Sequence, residues 1–270
     1  MLKINDFTIG YNEKVIVKNF NLHVKKGEML TIIGPNGSGK STVLKAVGRL
    51  LKPMNGVVYL DGKLLLEMSN KEISKEMACL SQHNSAPKDM TIRKIVSFGR
   101  NPHKNWFESL NKKDEDIITW AIEKTNLKHM ENKNISDISG GERQRAWMAM
   151  ALAQNPKVLL LDEPTTYLDI NNQIEILELV KELNKKLNLT VVMVLHDLNQ
   201  AAKYSTEVLV LKDGAIKAQG KPEEILDKKL IRSVYNVDMD ILKDQFGEKV
   251  IFIPKKVYKE NKMRERFKEQ

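Results

Sequence analysis

A single cysteine, Cys79, stands among 270 residues. One thiol excludes an intramolecular disulfide framework and any multi-cysteine zinc or iron–sulfur site. Long apolar runs are missing as well. The longest, such as Val158–Leu161 and Val191–Leu195, fall far short of the roughly 18 residues that a membrane-spanning helix needs. The opening Met1-Leu2-Lys3-Ile4-Asn5-Asp6 has no apolar core of a secretion signal. Internal repeats and low-complexity linkers are lacking too. These absences lead us to expect a soluble protein of a reducing compartment, cytosolic by default. The hydrophobic fraction, 41%, is enough for a sizeable core, and the length permits one large domain or two small ones. Acidic residues are the scarcer charge, 35 Asp+Glu against 44 Lys+Arg, for a formal net charge of +9. The excess is uneven, because Lys255 to Gln270 carries +4 of it and the rest of the chain +5. A positive surplus can serve nucleic acid, an anionic membrane surface or solubility alone.

What the chain does contain is strands alternating with helices. Ile4, Phe7 and Ile9, then Val15-Ile16-Val17, then Leu22 and Val24 read as strands. Met29–Ile33 is a continuous apolar run, the mark of a strand buried on both faces. It leads into Gly34-Pro35-Asn36-Gly37-Ser38-Gly39-Lys40-Ser41-Thr42 and a helix with Val43, Leu44, Val47, Leu50 and Leu51 on a 3.6-residue period, ended by Pro53. Val57–Leu60 with Asp61-Gly62 reads as a strand and hairpin turn, Lys71–Met77 as helix and Ala78–Ser81 as extended. From Asn84 to about Asp137 the chain turns polar, Asn/Lys-rich and helical in pattern. With the helix Gly140–Ala153 this predicts a helical subdomain, about residues 84–153, inserted into an α/β core. Val158–Leu161 and Thr190–Leu195 read as further buried strands, Asn171–Leu187 as an amphipathic helix (Ile174, Leu177, Val180, Leu183, Leu187), and Val208–Ala218 as a hairpin. The alternation predicts a mainly parallel sheet.

Gly34-x-x-x-x-Gly39-Lys40-Ser41 is a phosphate-binding loop placed between a strand and a helix, where its mechanism requires it. Glycines let backbone N–H groups turn around phosphates, and the helix N-terminus adds partial positive charge. Lys40 is expected to reach the β- and γ-phosphates and Ser41 to ligate Mg²⁺. The strand Val158–Leu161 delivers Asp162 and Glu163 at its C-terminal end, where parallel sheets bind ligands. Asp162 suits the Mg²⁺ shell, and Glu163 is placed to orient or deprotonate an attacking water. Ser139-Gly140-Gly141 opens a second helix and offers a second anion cradle. One nucleotide does not need two cradles, so the second is expected to serve the nucleotide of a second, identical chain.

In combination these motifs resemble the ATP-binding cassette ATPase subunits of ABC transporters, from Leu2 to about Pro254. The resemblance implies a P-loop NTPase fold of the ABC type, with an N-terminal antiparallel β subdomain and an inserted helical subdomain. It implies one domain over residues 1–254 and a basic tail over 255–270, with ATP and Mg²⁺ as cofactors. Ser139-Gly140-Gly141 matches the signature motif, which completes the ATP site of the opposite subunit in a head-to-tail homodimer. Gln82 matches the glutamine that touches Mg²⁺ and the attacking water, His196 the histidine at the γ-phosphate, and Tyr11 the aromatic that stacks on adenine. Leu168-Asp169 matches the loop crossing the dimer interface.

The segments Ser139–Gln154 and Leu161–Ile170, with Tyr167 where other cassettes differ, are similar to the importers of ferric siderophores, haem and cobalamin. So are Gly99-Arg100-Asn101-Pro102-His103 and the strand–turn–strand pattern of Val234–Pro254. Two departures occur: Ile138 where Leu is usual, and Glu142 for a frequent Gln, whose charge near a γ-phosphate would weaken dimer closure. The resemblance implies an ATPase subunit at the cytoplasmic face of the cell membrane, peripherally bound to permease subunits and linked through them to a substrate-binding protein. The permease is expected to dock in a groove near Gln82 and Arg100–His103. Other cargoes, such as zinc, manganese or amino acids, stay open, because permease and binding protein choose them. A soluble ABC protein acting on nucleic acid or ribosomes fits poorly, since such relatives carry long coiled-coil insertions or tandem cassettes; no nucleic-acid partner is expected. The basic tail has two readings, contact with the anionic leaflet or a solvated end. Cys79 reads as a small core residue and Trp120 and Trp147 as core. Trp106 has two readings, a permease contact or a residue merely exposed. His23, His83, His103 and His129 lack metal-ligand spacing.

Overall fold

Alternation shapes the N-terminus of the computed structural model, which describes residues 1–82, 84–105, 108–243 and 250–258. Strand β1 (Leu2–Tyr11) buries Leu2, Ile4, Phe7 and Ile9, and a turn at Asn12 and Glu13 returns the chain as β2 (Lys14–Val24). Strand β3 (Met29–Ile33) is buried at every residue and feeds α1 (Lys40–Val47). The 3.6-residue pattern carries that helix to Leu51, but it stops at Gly48. Arg49 turns left-handed (φ 57°), Leu50 N–H donates back to Lys45 O at 2.8 Å, and Leu50 is left 61% exposed. A glycine followed by back-bonded amides is an ordinary helix stop, stronger here than the apolar period.

Strand β4 (Asn55–Leu60) turns through Asp61-Gly62 into β5 (Lys63–Leu64). Helix α2 (Asn70–Glu76), capped by Ser69 and Glu72, passes straight into β6 (Met77–Leu80). The helical subdomain follows: α3 (Ile92–Ser97), a 3₁₀ segment Phe98–His103, α4 (Lys112–Lys124) and α5 (Gly140–Ala153). The α/β pattern then resumes with β7 (Val158–Asp162), α6 (Ile170–Leu187), β8 (Thr190–Val194), α7 (Leu198–Tyr204), β9 (Glu207–Lys212) and β10 (Ala215–Gly220). The described chain closes with α8 (Pro222–Ile225), α9 (Lys228–Tyr235), β11 (Val237–Lys243) and β12 (Val250–Val257).

The central sheet has the order β10-β9-β3-β8-β7-β6, parallel except for β10. An antiparallel sheet β2-β1-β4-β5 and the hairpin β11-β12 complete the α/β architecture expected from the alternation. Period-two side chains sort the central strands between two cores. Leu159, Leu161, Val191 and Met193 face the helices α5, α6 and α7, whereas Val158, Leu160, Val192 and Val194 face α1 and the antiparallel sheet. Each fully buried side chain of this kind contributes about 1.5–3 kcal/mol.

Some details differ from the pattern. The buried face of α6 is Ile176, Leu177, Val180 and Leu183, while Ile174 and Leu187 are exposed. Trp147 is buried and Trp120 packs at the edge of the same core. Strand β12 runs on to Val257, so Lys255 and Lys256, the first two cations of the basic tail, lie in a strand, and Lys255 pairs with Asp240 at 2.7 Å. His83, Trp106 and the tail from Lys259 onward lie outside the described residues. No helix among the described residues is long and apolar enough to cross a membrane.

Candidate functional site

Four neighbouring parallel strands, β3, β8, β7 and β6, end at the same edge of the central sheet. Register sets the alignment: Asp162 lies opposite Val194 and Leu80 opposite Leu161. The residues just past those ends are Gly34, His196, Glu163 and Gln82, brought together from distant parts of the chain by sheet order alone.

The phosphate loop is moulded by backbone contacts. Gly34 presses against β9, where a Cβ would come within 2.0 Å of Leu211 O. At Gly39 (φ 103°) a Cβ would meet Val17 Cγ2 at 2.5 Å, so β2 brackets the loop from the other side. Gly37 is open, with nothing within 4 Å of a Cβ. Gly214 N–H donates to Ser38 O at 3.1 Å, fastening the loop to the β9–β10 turn. Pro35 is half-buried, Asn36 is exposed, and Thr42 lies half-buried in the first turn of α1. Lys40 Nζ donates to Gly34 O (2.9 Å) and Pro35 O (3.1 Å). Burial lowers the Lys40 pKa, while Glu163 and Asp162 pull it back upward.

The carboxylates sit opposite. Ser41 Oγ donates to Asp162 Oδ1 at 2.7 Å. Burial raises the Asp162 pKa against the Ser41 hydrogen bond, and the neighbouring Glu163 charge raises it further. Glu163 has a left-handed backbone (φ 52°), costly for a non-glycine residue and common where a side chain must be aimed. Its carboxylate takes three partners: Gln82 Nε2 at 2.6 Å and Thr166 Oγ1 at 3.1 Å on Oε2, and His196 Nε2 at 2.5 Å on Oε1. Thr166 carries no motif of its own in the sequence. Its signal was local, a threonine three residues after the carboxylate in Glu163-Pro164-Thr165-Thr166.

Two observations test whether the residues fit a nucleotide and its metal. Ser38 Oγ is buried in the loop with no hydrogen-bond partner, an acceptor and donor awaiting a ligand atom. The Ser41 hydroxyl, the Asp162 carboxylate and the Gln82 amide oxygen are hard oxygen donors of the kind Mg²⁺ takes. No group of three or more His, Cys, Asp or Glu suited to a metal occurs among the described residues. Mg²⁺ needs none, because it keeps waters and phosphate oxygens.

The second cradle stands apart. Ser139 and Gly140 are exposed at the start of α5. Glu142 N–H donates to Ser139 Oγ (3.3 Å) and Ser139 N–H donates to Glu142 Oε2 (2.7 Å), closing a capping box within the motif. The Ser139 backbone bond, then its side chain, hold the Glu142 pKa low. Gly141 lies against Asn172, where a Cβ would be 2.2 Å from Oδ1, and Asn172 Nδ2 donates to both oxygens of Asp169 (3.0 and 2.9 Å). Asn172, also unmarked in the sequence, thus joins Gly141 to Asp169. No hydrogen bond or ion pair among the described residues joins this group directly to the Lys40–Glu163 cluster. Tyr11 is 44% exposed at the tip of the β1–β2 hairpin and belongs to neither group.

Arg100 is 5% exposed and points inward. Its Nε donates to Asp114 Oδ1 (2.9 Å) and its Nη1 to Ala153 O (2.7 Å), while His103 Nε2 lies 2.8 Å from Gln154 O. These residues close the carbonyl end of α5. Asn101 is left outward, and with Lys71, Lys104 and Asn105 it lines a groove of about 610 Å³. Cys79 is half-buried, and burial pushes its thiol up to about 11, which leaves it inert.

The sequence model of the ABC transporter family matches residues 17–166. The petrobactin import ATP-binding protein FpuC of Bacillus anthracis is 46% identical over 259 residues, covering 96% of this chain and 94% of the relative. The iron(3+)-hydroxamate import ATP-binding protein FhuC of Bacillus subtilis is 43% identical, covering 97% of each. Among solved structures, a dimeric ATP-binding cassette in a post-hydrolysis state, bound to ADP and phosphate, superposes with a TM-score of 0.72 at 31% identity, covering 82% of this chain and 99% of that one.

Proposed function

The chain belongs to the ABC transporter family, and from that premise we propose that it is the ATP-hydrolysing subunit of an importer for a ferric siderophore. Haem and cobalamin are the neighbouring cargoes of the same subfamily. Relatives whose names assign them to petrobactin and iron(3+)-hydroxamate import support the cargo, because they align over nearly the whole of this chain. The observation that carries the chemistry is the meeting of Gln82, Thr166 and His196 on the Glu163 carboxylate, beside Lys40, Ser41 and Asp162.

In this reading the phosphate loop, residues 34–42, wraps the nucleotide phosphates with backbone N–H groups. Lys40 exchanges the carbonyls of Gly34 and Pro35 for β- and γ-phosphate oxygens, which relieves the cost of its burial. Ser41, Asp162 and Gln82 hold Mg²⁺, which when bound neutralises charge on the phosphate oxygens. Glu163 orients a water in line with the γ-phosphorus and accepts its proton as the water oxygen bonds to phosphorus and the bond to the ADP oxygen breaks. His196 donates to the reacting γ-phosphate, and Thr166 and Gln82 keep the Glu163 carboxylate aimed. Tyr11 stacks on the adenine.

The site is completed by a second copy. Ser139, Gly140 and Gly141 of one chain cover the γ-phosphate held by the other, with Asp169 crossing between them. The exposed run Tyr167, Ile170 and Ile174 beside that cradle supports this face, as does the dimeric relative. The permease subunits dock in the groove of Lys71, Asn101, Lys104 and Asn105, which holds the chain peripherally at the cytoplasmic face of the membrane. A substrate-binding protein acts through the permease. Deleting the gene should abolish uptake of radio-iron supplied as a ferric hydroxamate, with recovery by the native chain and not by Glu163→Gln. Undiminished uptake in the deletion strain would overturn the cargo.

A further inference from the structure

A cavity of about 650 Å³ lies away from the nucleotide site, between α9, the end of β9 and the end of β12. Four cations line it: Lys212, Lys228, Lys229 and Arg232. Their charges are unevenly compensated. Lys228 pairs with Asp240 at 3.2 Å, and Arg232 uses its Nε on Asp238 at 2.5 Å. Among the described residues Lys212 Nζ donates only to a neutral acceptor, Ser233 O, at 2.6 Å. Lys229 is exposed and has no hydrogen-bond or ion-pair partner among the described residues. Among the described residues, two lysine charges are therefore left without a carboxylate. The Arg232 guanidinium lies over the Tyr258 ring, 4.6 Å from its centroid, and meets Asp238 through its Nε. A flat guanidinium edge beside two lysine point charges suits tetrahedral phosphate oxygens, and a phosphate group carries about −1.5 to −2 charge at neutral pH.

We propose that this cavity binds a doubly charged phosphate group, inorganic or ester, at a second site distinct from the nucleotide site. Neighbours of the lining residues reach the phosphate loop. Lys212 opens the β9–β10 turn, whose Gly214 N–H holds Ser38 O at 3.1 Å. Tyr235, at the end of α9, buries its hydroxyl against the backbone of Gly34 without a well-formed hydrogen bond. A phosphate that draws Lys212 and α9 together therefore steadies the phosphate loop from behind.

The test uses inorganic pyrophosphate and the full chain carrying Lys40→Ala, which removes the main phosphate ligand of the nucleotide site. Calorimetry should detect one pyrophosphate site in Lys40→Ala, weakened at least about tenfold when Lys229→Glu is added and unchanged when Lys217→Glu, a basic residue of β10 outside the cavity, is added instead. Lys229 is exposed, so its replacement leaves the fold intact. Absence of binding in Lys40→Ala at millimolar pyrophosphate, or equal affinity with and without Lys229→Glu, would overturn the site. Pyrophosphate should also slow hydrogen exchange at residues 34–38 in Lys40→Ala but not in the double variant; unchanged exchange would sink the link to the loop. Vesicles containing phosphatidic acid separate the sources. If they sediment the native chain but not Lys229→Glu, the phosphate is a lipid headgroup, and if only pyrophosphate binds, it is a soluble anion; either result sustains the site.

Discussion

The two helix N-termini that could hold phosphate are built to opposite plans. At α1 the loop is enclosed by β2 and β9, Lys40 and Asp162 are buried, and an orphaned Ser38 hydroxyl faces inward. At α5, Ser139 and Gly140 are exposed, and the first N–H is taken by the chain's own Glu142. A buried cradle concentrates charge at low dielectric and gains most from a ligand that neutralises it. An open cradle costs little to leave empty and can be covered only from outside. One chain thus encloses one cradle and leaves the other open to a second molecule, which is the basis for proposing that turnover requires two chains.

The strongest way to break that contrast is Glu163→Gln. The amide still accepts from Gln82, so the fold and ATP binding persist, but no base remains, and turnover should fall by about 10²–10⁴-fold in a phosphate-release assay. ATP-driven dimers should accumulate in gel filtration. Hydrolysis within tenfold of the native rate would show that the α1 half is not where the chemistry resides.

Next in size is Lys40→Ala. Loss of a charge-assisted phosphate contact of about 1.5–3 kcal/mol should weaken ATP by roughly 10- to 150-fold in calorimetry. Unchanged affinity would remove Lys40 from the cradle.

Gly141→Ala probes the other half. Its Cβ would come within 2.2 Å of Asn172 Oδ1, an overpacking worth about 1–3 kcal/mol. ATP affinity of the isolated chain should hold while the ATPase rate per chain drops and depends more steeply on chain concentration. Equal loss of ATP affinity would mean that the two cradles are one site within a single chain.

The smallest effect is on stability without nucleotide. Burial raises the Asp162 pKa, so the folded chain binds that proton more tightly than the unfolded one. Stability from this group therefore falls as pH rises through the window between the two values, and the cost is complete above the folded pKa. Asp162→Asn should raise the melting temperature at pH 7 and lose that gain below about pH 4, near the ordinary Asp value. A gain that does not vary with pH would show that the carboxylate charge is not the cause. No comparable pH-dependent gain is expected for a substitution at exposed Ser139.

Much of this contrast is legible in the order of residues. Gly34–Thr42 and Asp162-Glu163 announce themselves because glycine spacing and a buried strand ending in carboxylates are local features. Ser139 is legible as a helix cap for the same reason. Thr166 and Asn172 are not, because their value lies in where the side chains point, onto Glu163 and between Gly141 and Asp169. Nor is the role of Arg100, whose pairing with Asp114 turns it in to close α5. The length of α1 misleads, since an apolar period continues past a glycine that the backbone uses as a stop.

By itself the sequence determined the order of strands and helices, the phosphate loop, the paired carboxylates and the likeness to ABC ATPases, because periodicity, glycine placement and motif spacing are properties of neighbouring residues. Only the tertiary structure decided that Ser41 meets Asp162 across 121 positions and that Gln82 meets Glu163 across 81. It also decided that four cations from β9 and α9 share a cavity. Parallel register, not proximity in the chain, sets which strand ends are neighbours, and burial then sets which of their charges need a partner.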